Sequence, residues 1–518
     1  MEISTVRDNS MKTMNIHDRK RAVALDKRAK DWRTGAIVYQ IFVDRFAPSN
    51  RLAEKKEYYK SPRKLRTWNE KPEKGHYLED ARVWSHEVDF WGGDLLSLKA
   101  RLGYLHELGV DTVYLNPIFE SLTNHKYDAW DFMQIDPAYG TRADLQALAK
   151  EVHEKGMRLV LDGVFNHMGR GAPHFQKALA DKNDPNRYFF RFSEKNDIGY
   201  IGWMDVANLP ELNLDDPRVE DEIFVKSDSV VQSYLRRENI DGWRLDVAFD
   251  IGFEILTRLT NAAHAAKPGS LIIGEIYNYP EEWFPAVDGV MNMHARLLIL
   301  KMINGEISGK VAACMWENMV VDCSYENLLQ SWIVLDNHDT PRLGNILKEE
   351  WQQRMARVLQ FTLPGSVCLY YGSELGMKGG EDPQQRAPMR WDLVNDANKI
   401  LAFHRQLIKL RKDSPALIYG DFRTLATEKL FAFLRRTNSV RDTVVVVVNT
   451  KDEEITEWLQ LRESKFQDVT KLKDVFSAKT FTVQAGLVQL NVPGNGFLVL
   501  KIETDDNAIG YRRYDRIF

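Results

Sequence analysis

A unit of one apolar run followed by one amphipathic stretch recurs from residue 36, and this repetition restricts the fold more than any other feature. Eight apolar runs have strand length: AIVYQIF, VDTVYLNP, MRLVLDGVFNH, GWRLDVA, LIIGEIY, DGVMNMH, SWIVLDNHD and SVCLYYG. Strands that alternate with helices are typical of a parallel sheet, and eight such units favour a closed (β/α)8 TIM barrel over an open doubly wound sheet. The predicted fold class is therefore α/β.

Two of the amphipathic stretches show why helices are predicted between the runs. The segment 94–109 places four of its six leucines, Leu95, Leu98, Leu102 and Leu105, on one helical face and ends at Gly109. The segment 141–156 begins with Thr141 and Asp144, which are spaced to form a capping box. Each stretch leads into the next apolar run, as a barrel helix leads into the next strand.

Changes in composition divide the chain into segments. These are an N-terminal extension at 1–35, the barrel at 36–166 and 216–414, an insert at 167–215, a β-rich region at 415–503 and an unassigned tail at 504–518. The insert is rich in Asp, Asn, Pro and aromatic residues and is too long for a simple barrel loop, so it is predicted to form a lobe over the barrel mouth, called lobe B below. The β-rich region has short runs without helical periodicity, which predicts an all-β sandwich domain.

Charge and cysteine content exclude several kinds of partner. The 518 residues include 70 Lys and Arg against 74 Asp and Glu, a net charge of −4, which leaves no basic surface for nucleic acid or an anionic membrane and favours a neutral partner. The three cysteines have no metal-ligand spacing, and no apolar run reaches the length of a signal peptide or a membrane span. The predicted location is the cytoplasm, where thiols stay reduced.

Polar residues cluster where the predicted strands end. They are Asp162, Asn166 and His167 after the third run, Arg244 and Asp246 in the fourth, Glu275 in the fifth, and His338 and Asp339 in the seventh. Each residue alone has an ordinary structural explanation, such as capping the next helix. Because the strands of a parallel barrel end at the same face, however, the carboxylates are expected to converge there. Such convergence indicates acid–base or metal chemistry.

A carboxylate pair acting on a glycosidic bond fits these residues better than a metal or a phosphoryl group. The sequence has no His-x-x-x-His or Cys pair, Arg244 beside Asp246 would repel a cation, and no Gly-x-x-x-x-Gly-Lys-Ser/Thr loop is present. Arg244 and Asp246 lie two apart on a strand and share a face, so the guanidinium is expected to lower the pKa of Asp246, while neighbouring carboxylates raise that of Glu275. If configuration is retained, the two catalytic carboxyl groups should lie about 5–5.5 Å apart.

Aromatic and imidazole side chains near the predicted mouth are suited to a neutral sugar. They are His125, Tyr127, His167, Trp203 and His338. The alternative for the aromatic residues is ordinary core packing, which explains Trp203 as well as stacking does.

Four motifs in the order DGVFNH, GWRLDVA, GEIY and NHD resemble those of the α-amylase family, glycoside hydrolase family thirteen. YQIFVDRF, WGGDL, NHKYD, IDPAYGT and YYGSELGM extend the resemblance, which runs from about residue 36 to 503. NHKYD, GWRLDVA and HDTPR are most similar to the neopullulanase, cyclomaltodextrinase and maltogenic amylase group. The resemblance implies a catalytic barrel, lobe B after the third strand, a C-terminal β domain, and cleavage of α-glucosidic bonds with retention, by hydrolysis or by transfer.

The resemblance also implies roles for single residues. Asp246 corresponds to the nucleophile, Glu275 to the general acid and base, and Asp339 to the carboxylate that binds sugar hydroxyls and stabilises the transition state. The residues that it places around the sugar are Arg244, His167, His338, Tyr127 and Asp162. No organic cofactor is implied. Many members bind calcium, and Asn166 holds a position that is a calcium ligand in some of them. The partner position after the nucleophile holds Asp250 instead of His, however, and the Asp/Asn-rich loop after the first strand is absent, so no metal is predicted.

The sequence departs from this group in two places. Only about 35 residues precede the first strand, where the group usually has a carbohydrate-binding module of more than a hundred residues, which argues against that group's module-swapped dimer. A homo-oligomer of another kind is left open. Phe249 and Asp250 follow the nucleophile where the group typically has Asn-Glu or Asn-Asp, and specificity is expected to differ there.

The predicted function is retaining hydrolysis of α-1,4-linked glucans, maltooligosaccharides, cyclodextrins or pullulan, with α-1,6 bonds left open. The alternatives are a 4-α-glucanotransferase and, from another class, a non-catalytic barrel scaffold. The complete set of three carboxylates disfavours the scaffold.

Overall fold

The computed structural model describes residues 16–503, and its centre is a closed barrel of eight parallel strands. The strands are β1 (Ile37–Ile41), β2 (Thr112–Leu115), β3 (Arg158–Gly163), β4 (Gly242–Leu245), β5 (Leu271–Ile276), β6 (Gly289–Asn292), β7 (Trp332–Val334) and β8 (Ser366–Tyr370). They pair in chain order, and β8 closes the barrel on β1, with Leu369 opposite Tyr39. The predicted (β/α)8 barrel is confirmed, and each of the eight apolar runs contributes one strand.

Helices surround the barrel. The main ones are Leu95–Lys99, Leu102–Leu108, Arg142–Glu154, Val230–Ser233, Phe253–Ala266, Met293–Ile303, Gly309–Asp322, Glu350–Thr362 and Lys399–Lys412. The single helix predicted over 94–109 is divided in two at Ala100 and Arg101, yet the four leucines predicted to share a face are all buried. The predicted capping box is present, since the Asp144 carboxylate accepts from the Thr141 N–H at 2.8 Å and the Thr141 hydroxyl accepts from the Asp144 N–H at 3.2 Å.

Lobe B leaves the barrel after β3 and returns at the helix Pro217–Glu220. It contains the helix Pro173–Ala180, and its interior is an aromatic cluster in which Phe175 lies edge-on to Phe190 and Tyr200 at 4.8 and 4.9 Å. Two further long segments leave the barrel at the carboxyl ends of strands, as lobe B does. The segment after β1 holds the short strands Lys64–Leu65, Tyr77–Leu78, Val83–Trp84 and Asp89–Phe90, and the segment after β2 holds Phe119–Ser121 and Ala129–Ile135.

The C-terminal domain is all β, as predicted. Its strands are β9 (Asp421–Leu425), β10 (Phe431–Arg436), β11 (Val444–Asn449), β12 (Ile455–Gln460), β13 (Lys471–Asp474), β14 (Thr480–Thr482), β15 (Leu487–Val492) and β16 (Gly496–Ile502). Six form one sheet in the order β9-β10-β11-β16-β13-β14, and β12 pairs with β15 in a second sheet. The two sheets enclose one apolar core.

A helix that the sequence patterns do not indicate, Ile16–Lys30, precedes the barrel. Its Arg28 pairs with Glu326 of the barrel and with Asp421 of the C-terminal domain, each at 2.8 Å, so this helix joins the two domains. The predicted tail at 504–518 lies outside the described residues. Within the described chain, no helix combines the length and apolar character needed to cross a membrane.

Candidate active site

Strand β4 places its charged and apolar side chains on opposite sides of the barrel wall. Trp243 points outward and packs against Phe165 and Tyr234, with ring centroids 5.3 and 5.6 Å away. Arg244 points into the barrel and is fully buried. The strand ends at Leu245, so that Asp246 follows it at the mouth, as the alternation predicts.

Arg244 is the centre of a cluster of three acidic side chains. Its Nη1 donates to Asp162 Oδ1 and to Asp246 Oδ1, each at 2.9 Å. Its Nη2 lies 2.9 Å from Glu275 Oε1. The carboxylates expected to converge from β3, β4 and β5 therefore do so around one guanidinium, which gives the cluster more negative than positive charge.

Burial and mutual repulsion control the pKa of the two carboxyl groups nearest the mouth. Burial raises the pKa of Asp246 well above its usual value; Arg244 opposes this, and Glu275 and Asp162 add to it. Arg244 lowers the pKa of Asp246 as expected, but the net pKa is raised, because one guanidinium serves three carboxylates in a desolvated site. Burial also raises the pKa of Glu275, with Arg244 opposing and Asp339 contributing, as predicted in direction.

A stacked pair, Tyr127 and His338, lines the neighbouring wall. The two rings lie 5.3 Å apart and are parallel within 8°, and the Tyr127 hydroxyl is 2.6 Å from His338 Nε2 and 3.0 Å from Asp162 Oδ2. Gln40 Nε2 donates to His338 Nδ1 at 2.9 Å and to Asn116 Oδ1 at 3.1 Å. Because Nδ1 accepts, Nε2 carries the imidazole proton, which faces the mouth.

Asp339 is the most exposed of the predicted catalytic carboxylates and is held by an imidazole and a guanidinium. His338 Nε2 lies 3.0 Å from Asp339 Oδ2, and Arg386 Nη2 lies 3.4 Å from Oδ1. Burial would raise the pKa of Asp339, but His338 and Arg386 outweigh it and lower that pKa below its usual value. Asp339 is therefore ionised at neutral pH.

His167 and Trp203 form the wall toward lobe B. His167 is buried, its Nε2 is 4.0 Å from Asp246 Oδ2, and neither ring nitrogen has a hydrogen-bond partner within the described chain. Burial lowers the pKa of His167 to about 3, so the ring is neutral and free to bind a hydroxyl group. Trp203 is half-buried, stacks on His167 at 5.6 Å and donates from Nε1 to Asp250 Oδ2 at 2.9 Å.

Three other predicted residues lie away from the carboxylate cluster. His125 accepts from the Tyr127 N–H at 3.1 Å through Nδ1 and supports Tyr127 from behind. The backbone carbonyl oxygen of Asn166 accepts from the N–H of Leu212 at 2.9 Å, which ties lobe B to the end of β3. Phe249 is 56% exposed at the rim.

The residues do not fit the calcium site that some family members have. Asp250, at the partner position of Asn166, is hydrogen-bonded to Trp203 instead. Within residues 16–503, no group of three or more His, Cys, Asp or Glu side chains is arranged to hold a metal ion.

Several site residues were not predicted. Gln40 and Asn116 are polar residues within apolar runs, a signal that could have found them, and they hold His338 and Tyr127 in place. Tyr114 donates to Asp162 Oδ2 at 2.5 Å from the neighbouring strand. Arg386 comes from the segment after β8 and has no local sequence signal.

Comparison with known proteins agrees with this arrangement. Residues 40–398 match the catalytic domain of alpha amylase. A cyclomaltodextrinase from Geobacillus thermopakistaniensis is 31% identical over 491 residues, which cover 92% of this chain and 78% of that protein. Neopullulanase 2 from Thermoactinomyces vulgaris is 32% identical over 450 residues, which cover 84% of this chain and 72% of that protein.

A solved structure gives the same result for the fold. The cyclic α-maltosyl-(1→6)-maltose hydrolase from Arthrobacter globiformis, in its ligand-free form, superposes with a TM-score of 0.74 at 25% identity and covers 91% of this chain and 99% of that one. Together with the family match over most of the barrel, these similarities show that the chain belongs to the α-amylase family of glycoside hydrolases, in the part of it that includes the cyclomaltodextrinases and neopullulanases.

Proposed function

We propose that the protein hydrolyses α-glucosidic bonds of maltooligosaccharides, cyclodextrins or pullulan with retention of configuration. The observation that carries this proposal is the position of Asp246 and Glu275, each 2.9 Å from a different terminal nitrogen of Arg244. Retaining glycosidases need one carboxylate as nucleophile and one carboxylic acid as proton donor, close together across the scissile bond. A guanidinium that contacts both groups fixes their relative position.

In the first step, Asp246 attacks the anomeric carbon while Glu275 protonates the leaving glycosidic oxygen. A covalent glycosyl-enzyme forms and the leaving sugar departs. In the second step, the Glu275 carboxylate takes a proton from water, whose oxygen displaces Asp246 from the same carbon, and both carboxyl groups return to their starting states.

The first step requires the shared proton to be on Glu275. The two groups titrate as a pair, because both are buried and both contact Arg244. Arg244 Nη1 makes an aligned hydrogen bond to Asp246, whereas Nη2 is close to Glu275 without hydrogen-bond alignment. This asymmetry favours an ionised Asp246 and a protonated Glu275.

The remaining residues bind and orient the sugar. Asp339, ionised and at the open end of the cluster, is placed to accept hydrogen bonds from sugar hydroxyls. His167, whose ring nitrogens have no partner in the described chain, supplies a neutral polar contact, and the Tyr127 ring is the predicted stacking surface. None of these contacts requires a charged substrate, which agrees with a neutral glucan.

A second candidate activity, transfer of the glycosyl group to another sugar, is favoured by the rim. Phe249 is 56% exposed, lies 5.4 Å from the ring of Trp283 and follows the proposed nucleophile by three residues. Exposed aromatic surface next to the nucleophile would retain an acceptor sugar and exclude water. Hydrolysis and transfer share the same glycosyl-enzyme and differ only in what attacks it.

One panel of substrates tests the proposal. Maltotriose, β-cyclodextrin, pullulan, starch and sucrose are incubated with the enzyme, products are separated by chromatography, and the anomeric configuration of the first product is read by proton NMR. Glucose and maltose with α configuration support retaining hydrolysis. Products longer than maltotriose support transfer, β-configured products contradict retention, and no product from any glucan supports the non-catalytic scaffold.

A further inference from the structure

The two-stranded sheet of the C-terminal domain has one face that lies outside the core. Along β12 and β15, alternate residues Ile455, Leu459, Val488 and Leu490 are buried in the domain core. The other side chains point outward, and we call them the Trp458 face: Thr456, Trp458, Gln460, Leu487, Gln489 and Asn491. Trp458 lies directly opposite Gln489, with the pairs Thr456–Asn491 and Gln460–Leu487 on either side.

The chemistry of this face is unusual for the surface of this protein. Trp458 is 53% exposed, which leaves a large apolar ring in contact with water. None of the six side chains is charged, although 28% of the residues in the chain are Asp, Glu, Lys or Arg. Three amides and one hydroxyl surround the ring, and the Asn491 amide is oriented by hydrogen bonds to Glu454 Oε1 at 2.8 Å and to Thr456 Oγ1 at 3.3 Å.

These properties match a neutral sugar chain. The flat C–H face of a pyranose ring packs on an aromatic ring, and side-chain amides both donate hydrogen bonds to hydroxyl groups and accept them. A nucleic acid or an acidic peptide would find no cation on the face. A second protein would be expected to bury several apolar side chains, whereas here Trp458 and Leu487 are the two large ones.

We propose that the Trp458 face is a second binding site for neutral α-glucan chains, apart from the barrel mouth. The inference rests on the proposed function, because the ligand is the class of polymer that the barrel is proposed to cleave. A polymer held at this face has a raised local concentration at the mouth, whereas a trisaccharide is too short to occupy both places. Binding at the Trp458 face therefore promotes cleavage of long substrates and has no effect on cleavage of short ones.

Affinity electrophoresis tests the proposal on the full-length protein. Asp246→Asn protein is run in native gels that contain soluble starch or pullulan, alone and combined with Trp458→Ala, Trp458→Phe or Val469→Ala. Val469 is the matched control, since it is 69% exposed in the same domain. The loss of one aromatic contact is expected to weaken retardation about tenfold in Trp458→Ala, less in Trp458→Phe, and not at all in Val469→Ala.

Kinetics of the active enzyme separate this inference from the proposed function. Trp458→Ala should raise KM for starch and leave kcat/KM for maltotriose unchanged. Equal retardation of the Trp458→Ala protein and its parent, or no retardation of the parent, overturns the second site. A change in sedimentation with Trp458→Ala also overturns it, because the face would then be a contact between copies. Absence of turnover of maltotriose, β-cyclodextrin, pullulan and starch alike, by contrast, contradicts the proposed function whatever the gels show.

Discussion

The interior of the barrel holds two layers of side chains that come from the same strands and differ in character. Residues two apart on a strand share a face, and on three strands the lower residue is apolar and the upper one acidic. The pairs are Val160 and Asp162, Ile273 and Glu275, and Val334 and Asp336. All six are buried, so burial alone does not distinguish the layers. What differs is whether the buried group packs or carries a charge.

The acidic side chains of the upper layer, which the proposed reaction uses, lower the free energy of unfolding. A carboxyl group whose pKa is higher in the folded than in the unfolded protein holds its proton in the folded state while the unfolded chain loses it. The free energy of unfolding therefore falls as pH rises from the ordinary carboxyl pKa, about 4, toward the raised folded value. Asp246 and Glu275 both have raised pKa values. The lower layer has no such groups and should contribute stability at every pH.

The largest effect is expected from Asp246→Asn, which separates activity from stability. Removal of the nucleophile should lower kcat on maltotriose by about 10⁴-fold or more. The neutral amide removes a charge that the folded site disfavours, so the free energy of unfolding at pH 7 should stay equal or rise. Steady-state kinetics and urea unfolding measure the two effects. A kcat within tenfold of wild type would contradict the nucleophile assignment.

Arg244→Met breaks the upper layer itself. Without the guanidinium, three buried carboxylates lose their shared cation, and the free energy of unfolding should fall by about 3–5 kcal/mol at pH 8. The loss should be smaller at pH 5, because the raised pKa values of Asp246 and Glu275 leave less negative charge in the folded site at that pH. Urea unfolding at both pH values provides the measurement.

A second buried arginine is the matched control for Arg244. Arg411 is fully buried but donates to the carbonyl oxygens of Gly35, Phe361 and Gly365. Arg411→Met should therefore destabilise equally at pH 5 and pH 8. The same pH dependence in both variants would show that the loss does not come from the carboxylates.

Ile273→Ala tests the lower layer, where a substitution is expected to change stability and leave activity unchanged. Ile273 is fully buried two residues before Glu275 on β5. A cavity at this position should lower the free energy of unfolding by about 2–5 kcal/mol, independent of pH, while kcat of the folded enzyme stays near wild type. Urea unfolding and kinetics at a temperature where the variant is folded check both expectations. A large loss of kcat in folded protein would mean that the layers do not act separately.

The layered barrel was predictable from sequence because its signals are local. Apolar runs give strands, and acidic residues at their ends, such as Asp162 and Glu275, meet because parallel strands share one direction. The division of the helix at Ala100 and the helix Ile16–Lys30 were not predictable in this way. The helix Ile16–Lys30 is polar on most of its surface. It is held in place by Arg28, which contacts Glu326 and Asp421, residues about 300 and 400 positions away in the chain.

The pKa values of the site carboxyl groups depend on distances between residues that are far apart in sequence, and no local sequence pattern gives those distances. Arg244 and Asp246 are neighbours in sequence, which suggested a lowered pKa for Asp246. Glu275 and Asp162 come from other strands and share the same guanidinium, and their summed effect with burial reverses the direction. Arg386 lies in the segment after β8 and reaches Asp339 from 47 residues along the chain.

Trp203→Phe should have the smallest effect and tests where the upper layer ends. The phenyl ring can still stack on His167, but the Nε1–H that Trp203 donates to Asp250 is lost. A hydrogen bond at this half-exposed rim contributes about 0.5–1.5 kcal/mol, so KM for maltotriose should rise severalfold with kcat almost unchanged. Asp250→Asn is the matched control, because the amide oxygen still accepts from the indole, and its KM should lie nearer wild type. A fall in kcat with unchanged KM would mean that Trp203 acts on the reacting groups. The expected result, a raised KM with unchanged kcat, would mean that Trp203 and Asp250 bind substrate outside the layer of charged residues.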